Sequence, residues 1–162
     1  MALDDLVAAV ADALRRQGRS MATAESCTGG LVAAACTSLA GSSEWFERGF
    51  VTYSNAAKTE LLGVPHALIA AHGAVSEEVA RAMAEGALAR SPAGYAVAIT
   101  GVAGPGGGTA AKPVGTVWLA ASRRDGATRS VLLRADGDRA AVRAQSVQRA
   151  FELLRETVEG AG

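Results

Sequence analysis

The sequence predicts an α/β fold, a three-layer α/β/α sandwich with a mixed, partly parallel sheet and a late antiparallel hairpin. Three observations lead there. Over the first hundred residues, segments with helical apolar spacing alternate with short runs of small and β-forming residues. Two more such runs, at 115–121 and 128–133, are joined across Arg124-Asp125-Gly126, a hairpin signal. Finally, 49% of the 162 residues are apolar and many are alanine, which suits helices packed closely on both faces of a sheet. The length fits one domain over 1–162, with no internal repeat or linker.

Each element has a local reason. Leu3, Leu6, Val7, Val10 and Leu14 recur at helical spacing, with Asp4 and Asp5 in the first turn and Arg15 and Arg16 in the last, as the helix dipole favours; Gly18 ends that helix. SMATAES is small and extended, a buried strand. TGGLVAAACTSLAG reads as a helix opened at Thr28 and stopped at Gly41, after which Ser43 caps a short turn carrying Trp45 and Phe46. GFVTYS (49–54) is a strand, and NAAKTELLG a short helix between Asn55 and Gly63. His66 and His72 fall on turns. Ser76 caps a helix with Val79, Met83 and Leu88 inside. YAVAIT (95–100) is a central strand running into GVAGPGGGTAAKP, whose glycines and prolines exclude a regular element. Asp138 caps the last helix, with Val142, Val147, Phe151, Leu154 and Val158 on one face.

Composition excludes several functions. Sixteen basic and sixteen acidic side chains cancel, and no basic run occurs, so neither nucleic acid nor an anionic membrane is an expected partner. No apolar run approaches the ~20 residues of a membrane span, and the N-terminus has no secretory character, so a cytoplasmic location is expected. Cys27 and Cys36, read on one helix, stand about 13 Å apart, too far for a disulfide, so free thiols are expected. No His, Cys and acidic residues have metal-ligand spacing; neither a metal nor a cofactor is expected.

Three polar stretches follow predicted strands: Glu25-Ser26-Cys27-Thr28-Gly29-Gly30, then Thr52-Tyr53-Ser54-Asn55 with Lys58, then Thr100-Gly101 through Gly108. Ligands of open α/β sheets bind beyond the strands' carboxyl ends, so these stretches should converge there. Thr28, Gly29 and Gly30 would offer free N–H groups to a phosphate or an oxyanion, unless Thr28 only caps the helix. Ser26, at the strand-to-helix turn, is a candidate nucleophile, with Cys27 its rival. Neither histidine lies beside these stretches, which leaves Lys58, one of two lysines, as the base if burial lowers its pKa; a solvent-facing lysine is the alternative. The glycine-rich loop is neither a Walker loop nor a dinucleotide fingerprint, but can form a cradle of N–H donors over which Lys112 closes, or a mobile surface loop.

AESCTGG, GSSEWFERGFVTYSNAAKTELLGV, HGAVSEEVARAMAEGAL, TGVAGPGGG, KPVGTVW and GDRAAVRAQSVQRA together resemble the CinA C-terminal domain, the nicotinamide-nucleotide amidohydrolase family, in order from residue 3 to residue 155. The resemblance implies a stand-alone enzyme that hydrolyses the carboxamide of nicotinamide mononucleotide to nicotinic acid mononucleotide and ammonia, with Ser26 as nucleophile, Lys58 as base and Tyr53 orienting the pair. It further implies a homo-oligomer, dimer or larger. Gly29-Gly30 or Gly101 would hold the oxyanion. Thr28, Asn55, Thr100, Gly106, Gly107 and Arg139 are the other candidate substrate contacts, with Asp138-Arg139 at a helix N-terminus. Which cradle takes phosphate stays open. A nucleotide-sensing module without turnover, linked to competence or DNA damage, is the alternative, and an oligomeric scaffold the third.

Overall fold

Alternation along the strands decides which helices cover which face. The computed structural model describes residues 1–161. Its elements run α1 (Leu3–Gln17), β1 (Met21–Glu25), α2 (Leu31–Thr37), a single 3-10 turn (Ser42–Glu44), β2 (Phe46–Val51), α3 (Asn55–Leu62), α4 (His66–His72), α5 (Glu77–Ala89), β3 (Tyr95–Gly101), β4 (Thr116–Arg123), β5 (Thr128–Arg134) and α6 (Arg139–Ala161). The five strands form one sheet in the order β2-β1-β3-β4-β5. β1 pairs parallel with β2 and β3, whereas β3–β4 and β4–β5 are antiparallel. The α/β class, the mixed sheet and the late hairpin are as expected.

Tyr95, Val97 and Ile99 of β3, with Val117 and Leu119 of β4, face α1, α2 and α6 in one apolar core. Most alternate positions are alanines, among them Ala22, Ala24, Ala96, Ala98 and Ala120, and they face α3, α4 and α5 in a second core, against which Trp118 also packs. Side chains of a strand point to opposite faces with period two, so this large-and-small alternation builds a thick core on one side and a thin one on the other. On the thin side α5 presents Ala80, Ala84, Gly86 and Ala87, all buried. A Cβ at Gly86 would overlap the backbone carbonyl of Leu62, so glycine is required where α5 crosses the end of α3.

Helix ends mostly follow the sequence signals. Gly18 (φ 63°) and Gly63 (φ 69°) terminate α1 and α3 in the left-handed conformation. Ser76 accepts from Val79 N at the start of α5, and Asp138 Oδ1 from Ala141 N at the start of α6. Other expectations are corrected. α3 is capped by Ser54, which accepts from Ala57 N, one residue before Asn55. β2 begins at Phe46 and ends at Val51, so Thr52 to Ser54 are a connection rather than strand. His66 and His72 bound a two-turn helix instead of lying on turns. Ser43 caps nothing; Gly41 precedes the 3-10 turn with φ 81°. α2 is half its expected length: left-handed backbone at Gly29 (φ 57°) and Gly30 (φ 109°) delays its start to Leu31, and it stops at Thr37 rather than at Gly41.

Candidate active site

The parallel trio β2-β1-β3 sends three chain segments out of one end of the sheet. Pairing continues past the strand ends: Thr52 N donates to Glu25 O at 2.8 Å, and Ser26 N to Ile99 O at 3.0 Å. Ser26 is thereby pinned at the head of the central parallel strand, between the exits of its neighbours.

Lys58 reaches this point from the first turn of α3. It is 1% exposed, and Ser26 is 7% exposed. Lys58 Nζ lies 3.0 Å from Ser26 Oγ, 3.1 Å from Thr52 O and 3.1 Å from Tyr53 O. No carboxylate pairs with it among the described residues. Burial therefore lowers the lysine's pKa from its ordinary value. Two of the three neighbours are carbonyls, which only accept. A neutral amine satisfies both with its two hydrogens, and its lone pair is then left facing the Ser26 hydroxyl. The arrangement can move a proton from serine to lysine and back.

The rival thiol is placed otherwise. Cys27 is buried, and burial pushes its pKa up to about 11, so at neutral pH it is a protonated thiol and not a thiolate. Cys36 is raised too, from the same cause, and both cysteines are free.

The turn after Ser26 is built differently from the sequence expectation. Thr28 does not open a helix. Its hydroxyl donates to Glu25 Oε1 at 2.5 Å, and the same fully buried carboxylate accepts from Gly30 N (3.3 Å), Val32 N (2.9 Å) and Ala33 N (3.0 Å). Gly29 N donates to Ser26 O, and Leu31 N to Thr28 O. The N–H groups of Gly29 and Gly30 and the start of α2 are therefore engaged by the chain's own groups, leaving no cradle there for a ligand. The N–H groups of Cys27 and Thr28 donate to no other residue among those described. No local sequence signal gives Glu25 this role, because its backbone partners lie five to eight residues further on, beyond the three-residue reach of a capping box.

Several other candidates lie away from the serine–lysine contact or are already occupied. Tyr53 contributes its backbone carbonyl, while its side chain is 64% exposed and makes no hydrogen bond. Asn55 is exposed at the start of α3, with no side-chain bond. Thr100 is buried and donates to Ala74 O at 2.8 Å, tying the end of β3 to the link before α5. Gly101 pairs with Val117, against which a Cβ would collide at 2.7 Å. Gly106 and Gly107 are exposed in the loop, and their N–H groups are unpaired. Arg139 Nη1 donates to Gly104 O at 2.8 Å, beside a groove of about 520 Å³ that Pro105, Val114 and Asp138 also line. Because Asp138 caps α6, an anion at that N-terminus would meet a carboxylate. Lys112 Nζ donates to His72 O at 2.6 Å, which fixes the loop against α4. His72 sits 3.7 Å from Glu78 and neither histidine bonds to Ser26 or Lys58.

The residue that sequence reasoning missed is Arg143. From α6 its Nε donates to Cys27 O at 3.2 Å and its Nη2 to Thr28 O at 3.3 Å. The only sequence signal was its spacing of four from Arg139. Among the described residues no group of His, Cys, Asp and Glu is disposed to hold a metal, and no helix is long and apolar enough to cross a membrane.

Known proteins share this arrangement of sequence and fold. Over 147 residues the chain is 54% identical to the nicotinamide-nucleotide amidohydrolase PncC of Escherichia coli K12, covering 90% of this chain and 88% of that protein. It is 55% identical over 160 residues to a CinA-like protein of Mycolicibacterium gilvum. The chain spans 37% of that protein and 34% of a CinA-like protein of Mycolicibacterium vanbaalenii, about a third of their length. The crystal structure of a competence/damage inducible protein from Agrobacterium tumefaciens matches with a TM-score of 0.93 at 46% identity, over 97% of this chain and 95% of that one. A family model described as the CinA C-terminal domain matches residues 3–158, and the chain belongs to that family.

Proposed function

We propose that this protein hydrolyses the carboxamide of nicotinamide mononucleotide, releasing nicotinic acid mononucleotide and ammonia, with Ser26 as nucleophile and Lys58 as its base. The observation that carries the reading is the 3.0 Å contact between the buried, charge-poor Lys58 amine and the Ser26 hydroxyl. The name of the Escherichia coli relative supplies the substrate.

In the first half-reaction Ser26 Oγ attacks the amide carbon and its proton passes to Lys58 Nζ. The oxyanion so formed meets the unpaired N–H group of Cys27, the residue next to the nucleophile. Such a donor contributes about 3–4 kcal/mol in other acyl-transfer enzymes. The C–N bond then breaks, Lys58 returns the proton to the nitrogen, and ammonia leaves an acyl ester on Ser26. In the second half water attacks that ester, gives its proton to Lys58, and Ser26 Oγ departs and regains the proton. Lys58 begins and ends neutral, the state burial favours. Tyr53 acts through its carbonyl, which fixes one lysine hydrogen.

The balanced charge and the two free thiols favour a cytoplasmic protein acting on a small molecule rather than on nucleic acid. The exposed edge strand β2 favours self-association. The experiment is ammonia release from nicotinamide mononucleotide. Wild type is expected to turn over, and Ser26→Ala to lose about a hundredfold or more, since the covalent route disappears. Undiminished release by Ser26→Ala would remove the nucleophile. Tight binding without release by wild type would instead favour a nucleotide-sensing module.

A further inference from the structure

We infer that Arg143, with Arg139 one helical turn before it, forms a clamp for the phosphate monoester of the substrate, and that Arg143 is the residue that makes the site select a mononucleotide over its nucleoside. The inference rests on the amidohydrolase reading for the identity of the substrate, and goes beyond it in assigning the phosphate.

A phosphate next to Ser26 needs cationic or N–H donors that the fold has not already used. Both helix N-termini near the site are taken by carboxylates of the chain itself: Glu25 at α2 and Asp138 at α6. A dianion at either would face a negative charge at short range. What remains are two arginines of α6 and the unpaired N–H groups of the glycine-rich loop.

Arg139 and Arg143 are four residues apart, so they lie on one face about 6 Å apart along the axis. Each is tied to a different wall. Arg139 holds Gly104 O of the glycine-rich loop, and Arg143 holds the carbonyls of Cys27 and Thr28 on the Ser26 turn. Neither is paired with a carboxylate among the described residues. A guanidinium carries five N–H donors. Arg139 spends one and Arg143 two on these carbonyls, so each keeps free donors while its position is held. The unpaired N–H groups of Gly106 and Gly107 belong to the same loop wall. Two positioned, uncompensated guanidinium groups are what a phosphate monoester recognises, through charge-assisted and bidentate bonds. A free carboxamide has no use for them.

Because Arg143 also supports the Ser26 turn, its loss has to be read on two ligands. In full-length Ser26→Ala protein, calorimetry is expected to show nicotinamide mononucleotide binding more tightly than nicotinamide riboside. Adding Arg143→Ala should weaken the mononucleotide tenfold or more, while riboside affinity changes by less than about threefold. Arg143→Lys, which keeps charge but loses the fork, should fall between. Inorganic phosphate should compete with the mononucleotide and not with the riboside on unmutated protein, a readout that needs no variant at position 143. Equal weakening of both ligands would make Arg143 a support of the turn and overturn the inference, as would unchanged mononucleotide affinity or absent phosphate competition. The two readings fail separately. Phosphate-selective binding through Arg143 with no ammonia from wild type leaves the clamp standing and sinks the hydrolase, whereas turnover with an unaltered mononucleotide preference in Arg143→Ala does the reverse.

Discussion

A buried lysine without an acid beside it is a costly thing for a fold to keep, and Lys58 is 1% exposed with only carbonyls and a serine around it. Its ammonium form is disfavoured by burial, so activity that requires the neutral amine should rise with pH. The acid limb of log kcat/KM should then have unit slope and a midpoint below the ordinary lysine value of about 10.4. A pH–rate profile checks this; a limb at or above that value, or none, would remove Lys58 as base. Lys58→Met should abolish ammonia release and leave the protein as stable as wild type or more so, by up to about 1 kcal/mol or roughly 2–4 °C in thermal unfolding, because a desolvated amine is replaced by a thioether of similar length. A variant that is both inactive and strongly destabilised would instead make the lysine structural.

The turn between β1 and α2 and the crossing of α3 by α5 are what hold the two halves of this contact. Glu25 takes three backbone N–H groups and one hydroxyl, the work of a helix cap done from the preceding strand. Glu25→Ala leaves those buried donors unmet at about 1–3 kcal/mol each, so a loss of roughly 3 kcal/mol or more, near 6–12 °C, is expected in thermal unfolding. Stability within about 0.5 kcal/mol of wild type would show that water or a rearranged turn replaces the carboxylate. Across the sheet, Gly86 lies against the carbonyl of Leu62, at the end of the helix that bears Lys58. Gly86→Ala gains helix propensity yet should destabilise by about 1–3 kcal/mol, because backbone there cannot yield. Gly160→Ala, with nothing within 4 Å of its new Cβ, is the opposite case and should stabilise by up to about 1 kcal/mol. Urea unfolding of the pair tests the sign difference.

Strand order brings the pieces of the molecule together: β1, which leads into Ser26, lies between β2, which leads into Lys58, and β3, which leads into the glycine-rich loop. The same packing buries both thiols, and that couples the fold as a whole to alkaline pH. Cys27 has a folded pKa raised to about 11, above the unfolded value near 8.5, so the native state keeps a proton that the unfolded chain has lost. Stability from this group is complete below about pH 8.5 and declines as pH rises through 11. Compared with Cys27→Ala, wild type should lose on the order of 2 kcal/mol of unfolding free energy between pH 8 and pH 10.5. Cys27→Ala should keep most ammonia release at pH 7–8, where the thiol is protonated. A flat difference in urea midpoints across that range would mean the thiol titrates as if exposed.

Much of this was legible in one dimension, because it is local. Apolar spacing, Gly18 and Gly63 as stops, and Ser76 and Asp138 as caps depend on neighbours a few residues away, and periodicity reports such relations directly. The identity of Ser26 and Lys58 as candidates was legible too, since a hydroxyl, an amine and glycines past strand ends are poor packing material. What could not be read was which donors remain free. That Glu25 fills the N-terminus of α2, that Asp138 fills that of α6, that Tyr53 offers a carbonyl and not its ring, and that Arg143 rests on the Ser26 turn all depend on partners brought together by packing. Arg143 and Cys27 are 116 residues apart. A sequence lists the groups capable of bonding; only the packed chain decides which of them are already bonded to each other.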